Sequence, residues 1–490
     1  MKCLLGMLRR SVSVRDSILW SAAALSLASM PALRADPTLP TIANNMFTVA
    51  APSASATTNT TNLQNAINSA NAAAGGGVVN VPAGTYVTNE LFLKSGVNLN
   101  LAAGAVLQNN APSSTFITTS GSNLHDIEIS GSGVIDGHAI ATSGNNMMPL
   151  QNISRLYITG VTIANASHEH LVVESDSDVT IDGININDNF SVAQTGDYLA
   201  NTDAIDYSGN NFLIKNSNIN AGDDDIVAKP SGSPGSKTTT TNVVITNDVI
   251  GAGHGISVGG QTPAGLNGLT VSNITFNGTD NGLRLKAGNN SGDVKGGGIV
   301  QNVSFSHIKM TNVTHPIIIS SWYNGGDAYG SAEVSGSALH TVTNPNDPSV
   351  VVNESANTGV GYPFFDNISY SDITASGTSE NVAIIYGLNS TDSNPADPLR
   401  NIDNISFSNV KLAGKFGADI YYVSNLDISG LMVFPTNSGS FDTNGNFVGT
   451  LNSNAKIQQT GNTFATTPEP GSLMVLGMGG FAMLVRRRAR

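Results

Sequence analysis

Cysteine is nearly missing from this chain. The only one among 490 residues, Cys3, lies in a terminal stretch expected to be lost on maturation. The mature protein would then hold no thiol and no disulfide, and packing and hydrogen bonding must supply its stability. Charge is scarce as well. Only 12% of residues are Asp, Glu, Lys or Arg, a poor recipe for long amphipathic helices with a charged outer face. Basic residues are scarcest. Nine of the 22 sit at the two ends, and residues 36–470 keep 13 basic against 34 acidic residues, a net of −21. Nucleic-acid binding needs a basic face, so that partner is excluded.

What is present is Gly, Asn, Ser and Thr in quantity, with 40% hydrophobic residues in short Val/Ile/Leu runs. That composition suits short strands joined by tight turns, and its apolar content argues against disorder. One helix is expected, Thr61 to Ala74, with Leu63, Ala66, Ile67 and Ala70 on one face and Gly75-Gly76-Gly77 as its stop.

Beyond about residue 123 a short phrase recurs. Leu156-Tyr157-Ile158-Thr159-Gly160-Val161-Thr162-Ile163, Val179 to Ile186, Phe212 to Ile219, Val243 to Ile250 and Leu269 to Phe276 all alternate apolar residues around a Gly- or Asn-containing corner. Most copies begin about 23–34 residues apart. That period indicates a solenoid whose residues spaced by two point into a shared core. The Leu/Asn consensus of leucine-rich repeats is missing, and a propeller would need more strands per copy. The expectation is an all-β chain, a right-handed parallel β-helix with a short N-terminal capping helix.

Four polar motifs fall on consecutive coils: Asn201-Thr202-Asp203, Gly222-Asp223-Asp224-Asp225, Gly253-His254-Gly255 and Arg284-Leu285-Lys286. The gaps are 20 from Asp203 to Asp223, 30 from Asp224 to His254 and 30 from His254 to Arg284. One-coil spacing stacks such residues on one face. Asn201 and Asp203 are two apart and would share a strand face. Arg284 and Lys286 would do the same, as a cationic clamp. Asp223 and Asp224 can both reach one site only if a turn or bulge intervenes. Three adjacent acids should raise at least one pKa, which a proton-donating carboxyl requires. Gly253 and Gly255 would let a bulky sugar approach the backbone beside His254.

These motifs, in this order, resemble those of glycoside hydrolase family 28, the polygalacturonases, whose patterns are Asn-Thr-Asp, Asp-Asp, Gly-His-Gly and Arg-Ile-Lys. The opening helix, the triple glycine and Val81-Pro82-Ala83-Gly84-Thr85-Tyr86 resemble that family too. The resemblance covers roughly residues 58 to 430 and implies a pectin-lyase-like solenoid. It implies an inverting hydrolase of α-1,4-galacturonosyl linkages, without cofactor or metal, acting on anionic plant pectin. Position by position it makes Asp223 the general acid, and Asp203 and Asp224 the pair that holds and deprotonates water. His254 would tune the acid. Asn201, Arg284, Lys286 and, more loosely, Tyr323 would contact substrate. Leu285 stands where the family has Ile. Asp225 stands where many members have Cys, which leaves a shifted Asp224/Asp225 register open. His168, Glu169 and His170 fall one coil earlier and read as structural rather than as cleft lining. Two competing classes are a pectate lyase-type β-eliminase and a non-catalytic surface β-helix that binds exopolysaccharide.

Both ends read as addresses. Lys2, Arg9, Arg10 and Arg15 precede the apolar Ile18–Ala32 stretch, with a cleavage site expected before Asp36. Pro468-Glu469-Pro470, an apolar run and then Arg486, Arg487, Arg488 and Arg490 resemble the PEP-CTERM sorting signal of Gram-negative bacteria. That resemblance implies an exported protein of the cell envelope or outer surface, processed by an exosortase-type enzyme after transient membrane association. The expected organisation is a signal peptide (1–35), a linker (36–57), the catalytic solenoid (58–435), a second linker (436–467) and the sorting segment (468–490), as a monomer.

Overall fold

The structure is a computed structural model. It describes residues 36–139, 144–188, 201–230, 239–260, 262–286, 298–321, 339–344, 347–355, 364–387, 402–454, 456–460 and 462–465. The expected signal peptide, Trp322, Tyr323 and the sorting segment lie outside the described residues.

Alternation sets the architecture. In Val97–Leu101 and Ala105–Asn109 every second residue is buried, and each coil repeats that pattern on the last. Thirty strands join into one hydrogen-bonded system in which every pairing is parallel, and the chain is a right-handed parallel β-helix, the hand that parallel crossovers favour. Three columns show the stacking. Phe212, Val243, Leu269, Val303, Ile368 and Ile405 pair successively. So do Ile219, Ile250, Phe276, Met310, Ala375 and Leu412, and Ile205, Ile226, Ile256, Leu283, Ile317, Ala383 and Ala418. Inside, Tyr370 stacks between Phe305 and Phe407 at centroid distances of 5.0 and 5.1 Å, close to the ~4.7–4.9 Å strand spacing. Asn216, Asn247 and Asn273 turn one corner with φ of 56°, 61° and 57°, a left-handed conformation that Asn tolerates.

The helix spans Ala56–Ala72, starting earlier than the apolar period predicts. Its first turn is polar and is set by a cap instead: the Ser55 hydroxyl accepts from the Thr58 N–H. It buries Leu63, Ile67 and Ala70 over the first coil. The two expected linkers also carry structure. Met46–Thr48 pairs with the first core strand, and Ile457–Thr460 pairs with Ala418–Tyr421, so the solenoid runs beyond 58–435 on both sides. No helix among the described residues is long and apolar enough to cross a membrane.

Candidate active site

The strands beginning at Ile205, Ile226, Ile256 and Asn281 send Ile205, Ile226, Ile256 and Leu283 into the core. Their outward neighbours therefore align across coils: Asp206, Val227, Ser257 and Arg284 are register partners. The corners just before these strands carry Asp203, Asp223–Asp225, His254 and Asp280. Sequence-distant groups thus converge without a long loop.

Asp224 is the most tightly held. It is buried, and its Oδ1 accepts from the Ser257 hydroxyl at 2.7 Å and from the Arg284 guanidinium. Its Oδ2 takes Lys286 Nζ at 2.7 Å. Burial opposes its charge, but Lys286 and Arg284, helped by His254 and Lys229, hold its carboxyl far below the usual carboxylate range. Arg284 and Lys286 are only 1% and 4% exposed, so the expected substrate clamp grips an aspartate of its own chain. Asp225 faces the other way. Fully buried, it accepts N–H groups of Gly255 at 2.9 Å and Ala221 at 3.3 Å, and burial pushes its pKa well up. It ties coil to coil, and the acids turned toward the cations are Asp223 and Asp224. Burial, more than repulsion between adjacent acids, perturbs this run.

Asp223 is the most open of the cluster, its side chain 22% exposed. The N–H groups of Asn201 and Asp224 donate to it at 2.8 and 2.9 Å, and His254 Nε2 lies 3.7 Å away. His254 Nδ1 is 2.7 Å from Asp280 Oδ2. Burial disfavours charge on this imidazole, but the Asp280 hydrogen bond, with the charges of Asp280 and Asp223, raises its pKa above the ordinary value. Asn201 does not share a strand face with Asp203. It is a turn residue with φ 59° ahead of the strand, and it contributes its backbone. The glycines flanking His254 serve the coil rather than the sugar. A Cβ on Gly253 would come 2.7 Å from Asp225 Oδ2, and one on Gly255 2.3 Å from the Asn281 carbonyl, both at positive φ.

Asp203, 3% exposed, and Asp206 share one cation: Lys229 Nζ lies 2.6 and 2.7 Å from their Oδ2 atoms. Burial pushes both carboxyls up while Lys229 pulls them down, and Asp206 remains the one pushed furthest. Behind them His170, with no exposed surface, bridges Asp188 at 2.7 Å and the Asp203 carbonyl at 3.1 Å. It anchors the Asp203 backbone and stays out of the cleft. Glu169 lies 3.9 Å from Lys229, and the His168 ring contacts the Glu169 carboxylate.

One oxygen each of Asp203, Asp223 and Asp224 lies within 4.8 Å of the other two. That spacing could hold a cation, as could Glu169, Asp203 and Asp206. In both sets the protein's own cations already contact some of these carboxylates: Lys229 those of Asp203 and Asp206, and Arg284 and Lys286 that of Asp224. The arrangement can keep some carboxylates ionised, present one openly beside a histidine, and hold a water among them.

Residues 75–394, more than half of the chain, match the family described as Glycosyl hydrolases family 28. The chain belongs to that family. Residues 466–488 match the PEP-CTERM protein-sorting motif. The chain is 34% identical over 154 residues to an endo-polygalacturonase of Pectobacterium carotovorum subsp. carotovorum, covering 31% of this chain and 36% of that one. It is 35% identical over 148 residues to a polygalacturonase of Prunus persica, covering 29% and 35%. The matched stretch thus spans about a third of the length of these curated relatives. Among solved structures, a polygalacturonase from Erwinia carotovora ssp. carotovora superposes with TM-score 0.57 at 22% identity over 77% of this chain and 95% of that one. A Yersinia enterocolitica family 28 exopolygalacturonase gives 0.61 at 18% over 86% and 76%. Both show the same fold.

Of the residues singled out in the sequence of this family 28 member, Asn201, Asp203, Asp223, Asp224, His254, Arg284 and Lys286 come together, and Tyr323 lies outside the described residues. Lys229, Asp206, Ser257 and Asp280 escaped notice. The signal was there: Lys229 follows Asp203 by 26 residues, Ser257 follows Asp224 by 33 and Asp280 follows His254 by 26, each one coil on.

Proposed function

We propose that this glycoside hydrolase cleaves α-1,4-galacturonosyl linkages of polygalacturonate by acid–base catalysis with inversion at the anomeric carbon. The observation that carries the reading is the division of labour among three acids whose oxygens lie within 4.8 Å of one another. Asp223, open and beside His254, is the general acid that protonates the glycosidic oxygen. Asp224, kept ionised by Lys286 and Arg284, and Asp203, held by Lys229, orient the attacking water and take its proton. Protonated His254 steadies the charge that Asp223 acquires as it gives up its proton. Arg284, Lys286 and Lys229 offset the aspartates' charge so that a uronate carboxylate can approach, and Asn201 fixes the acid through its N–H. Tyr323 stays a candidate sugar contact.

The carboxyl spacing is shorter than the roughly 6.5–9.5 Å associated with inversion. The water would therefore sit beside Asp203 and Asp224 rather than sandwiched between acid and base. Proton NMR of the first product from polygalacturonate tests this: the inverted anomer is expected, and the retained anomer would assign a covalent intermediate instead. New reducing ends without UV-absorbing unsaturated ends exclude β-elimination. The sorting motif supports export and exosortase processing with transient membrane association. Cell fractionation that left the full chain in the cytoplasm would overturn that part.

A further inference from the structure

The cleft is not evenly charged along its length. Asp203, Asp223, His254 and Asp280 step from coil to coil, so a polymer held by them lies along the stack. On one side of the acids stand Arg284 and Lys286, gripping Asp224. The other side is built differently. One coil before Asp206, Leu171 and Val173 enter the core, and Val172 is the register partner of Asp206. Glu174 then falls on the outward face by alternation. It is half-buried and accepts from the Gln151 amide at 3.1 Å. The charges of Lys229 and Glu169 both reach it, which places it at the same cleft. Glu169 stands at the corner before that strand, its side chain 13% exposed, with an oxygen within 4.8 Å of oxygens of Asp203 and Asp206.

Four carboxyls thus share one lysine. Among the described residues, Lys229 is the one lysine or arginine paired to any of them, at 2.6 Å from Asp203, 2.7 Å from Asp206 and 3.9 Å from Glu169. His168, its side chain 31% exposed, touches Glu169, and even as an imidazolium it would leave four acids facing two bases. Burial pushes Glu174 and Asp206 upward. A proton taken up by either removes a charge but supplies no cation. The next lysine back along the stack, Lys94, follows the strand Leu91–Leu93 three coils before Glu174, ~14 Å away at one strand spacing per coil. A pyranose unit is about as long as one strand spacing, so the sugar beyond the acids on this side lies over Glu169 and Glu174. A uronate there would set its carboxylate against carboxyls, with the one lysine already taken. An ester carbonyl can accept from a protonated carboxyl, and a sugar hydroxyl can donate to an ionised one.

We propose that the cleft takes an uncharged sugar on the Glu169–Glu174 side: a galacturonate whose carboxylate is masked as an ester, or a neutral sugar of the pectic backbone. The inference rests on the catalytic reading given above and narrows its substrate. The test measures kcat/KM of the full-length protein on polygalacturonate, on partly methyl-esterified pectin and on a backbone that alternates galacturonate with a neutral sugar. One of the last two should exceed polygalacturonate by about tenfold or more, since like charges set against each other are costly, and which one does so identifies the source. Glu174→Gln removes a charge and Glu174→Lys supplies the missing cation. Both should raise kcat/KM on polygalacturonate relative to the preferred polymer, Glu174→Lys the more, and a gain of this kind cannot come from misfolding. Polygalacturonate turned over as well as or better than both other polymers by the unaltered protein, or a ratio that neither variant moves, would overturn the proposal. If the unaltered protein turns over none of the three, the catalytic reading fails by itself. Retardation in gels holding each polymer then decides the cleft: stronger retardation by an uncharged-sugar polymer than by polygalacturonate supports the proposal, and equal retardation, or none, refutes it.

Discussion

Replacing Lys229 with Met would expose how the cleft keeps Asp203 charged. Lys229 Nζ lies 2.6 and 2.7 Å from Asp203 and Asp206, and each aspartate is 3% exposed. Without the ammonium, two buried carboxylates face each other with nothing between them. An opposite charge at such range lowers a carboxyl pKa by about 1–3 units, so removing it should raise Asp203 by a similar amount. Burial already pushes Asp203 upward and adds to the effect. Each unit is about 1.4 kcal/mol of lost preference for the ionised form. In the proposed mechanism ionised Asp203 takes the proton of water, so the acid limb of kcat/KM should move up by about 1–3 pH units. Activity should recover above the shifted limb. Removing one partner from a buried pair costs ~3–5 kcal/mol when the other keeps its charge, so the variant should also melt earlier at high pH than at low. The double variant Lys229→Met/Asp206→Asn removes the repulsion as well, and should restore part of both losses. The assay is kcat/KM on polygalacturonate across pH, with thermal unfolding at each pH. An acid limb left in place in a folded Lys229→Met protein would refute the reasoning.

Three further outcomes are expected. Asp223→Asn should lower kcat by about 10²–10⁴ with unfolding unchanged, while Asp225→Asn should keep activity but lose about 1–3 kcal/mol, because an amide cannot accept from both Ala221 and Gly255; kinetics paired with calorimetry on each variant separates the two registers. Asp280→Asn removes the first group that raises His254. The stability His254 adds is present below its unfolded pKa and lost as pH rises through its higher folded one, so the variant should bring the alkaline limb of the pH–rate profile to lower pH, read from kcat/KM. Asp248, 1% exposed, is pushed by burial to about 7. The folded state then holds a proton that the unfolded chain releases, and stability falls as pH climbs from the ordinary carboxyl range through 7; Asp248→Asn should flatten that decline, measured by urea unfolding at pH 4 and pH 8.

The fold was legible because the core is one-dimensional. Phe212, Val243 and Leu269 each open a phrase in the sequence and stack directly in space. The converging site was legible for the same reason, since one-coil spacing fixes position along the axis. Spacing cannot say which way a corner residue points. Asp224 and Asp225 are adjacent, yet one meets Lys286 and Arg284 while the other closes onto Gly255. That choice depends on where the turn ends and the strand resumes. Burial was equally hidden. Arg284 and Lys286 look like an open clamp as an Arg-x-Lys on a strand, and Gly253 and Gly255 look like clearance for a ligand. Only coil-to-coil packing shows the cations turned onto Asp224 and the space beside the glycines filled by the Asp225 side chain and by neighbouring backbone.

Those cations would let so acidic a chain run the proposed acid–base chemistry on an anionic polymer. Residues 36–470 carry a net −21, which repels polygalacturonate until salt screens it beyond ~8–10 Å. Within the cleft the balance differs. Lys229, Arg284, Lys286 and raised-pKa His254 stand against Asp203, Asp206, Asp223, Asp224, Asp280 and Glu169, so the cations offset much of the acidic charge in the site. Each cation holds an aspartate before substrate arrives, which keeps Asp224 ionised despite burial and opposes the upward push of burial on Asp203. Asp223 alone among the acids turned toward the cations touches neither a lysine nor an arginine among the described contacts. It is the carboxyl left to the His254 side of the cleft, and the contrast with Asp224 arises because the Arg284–Lys286 strand reaches Asp224.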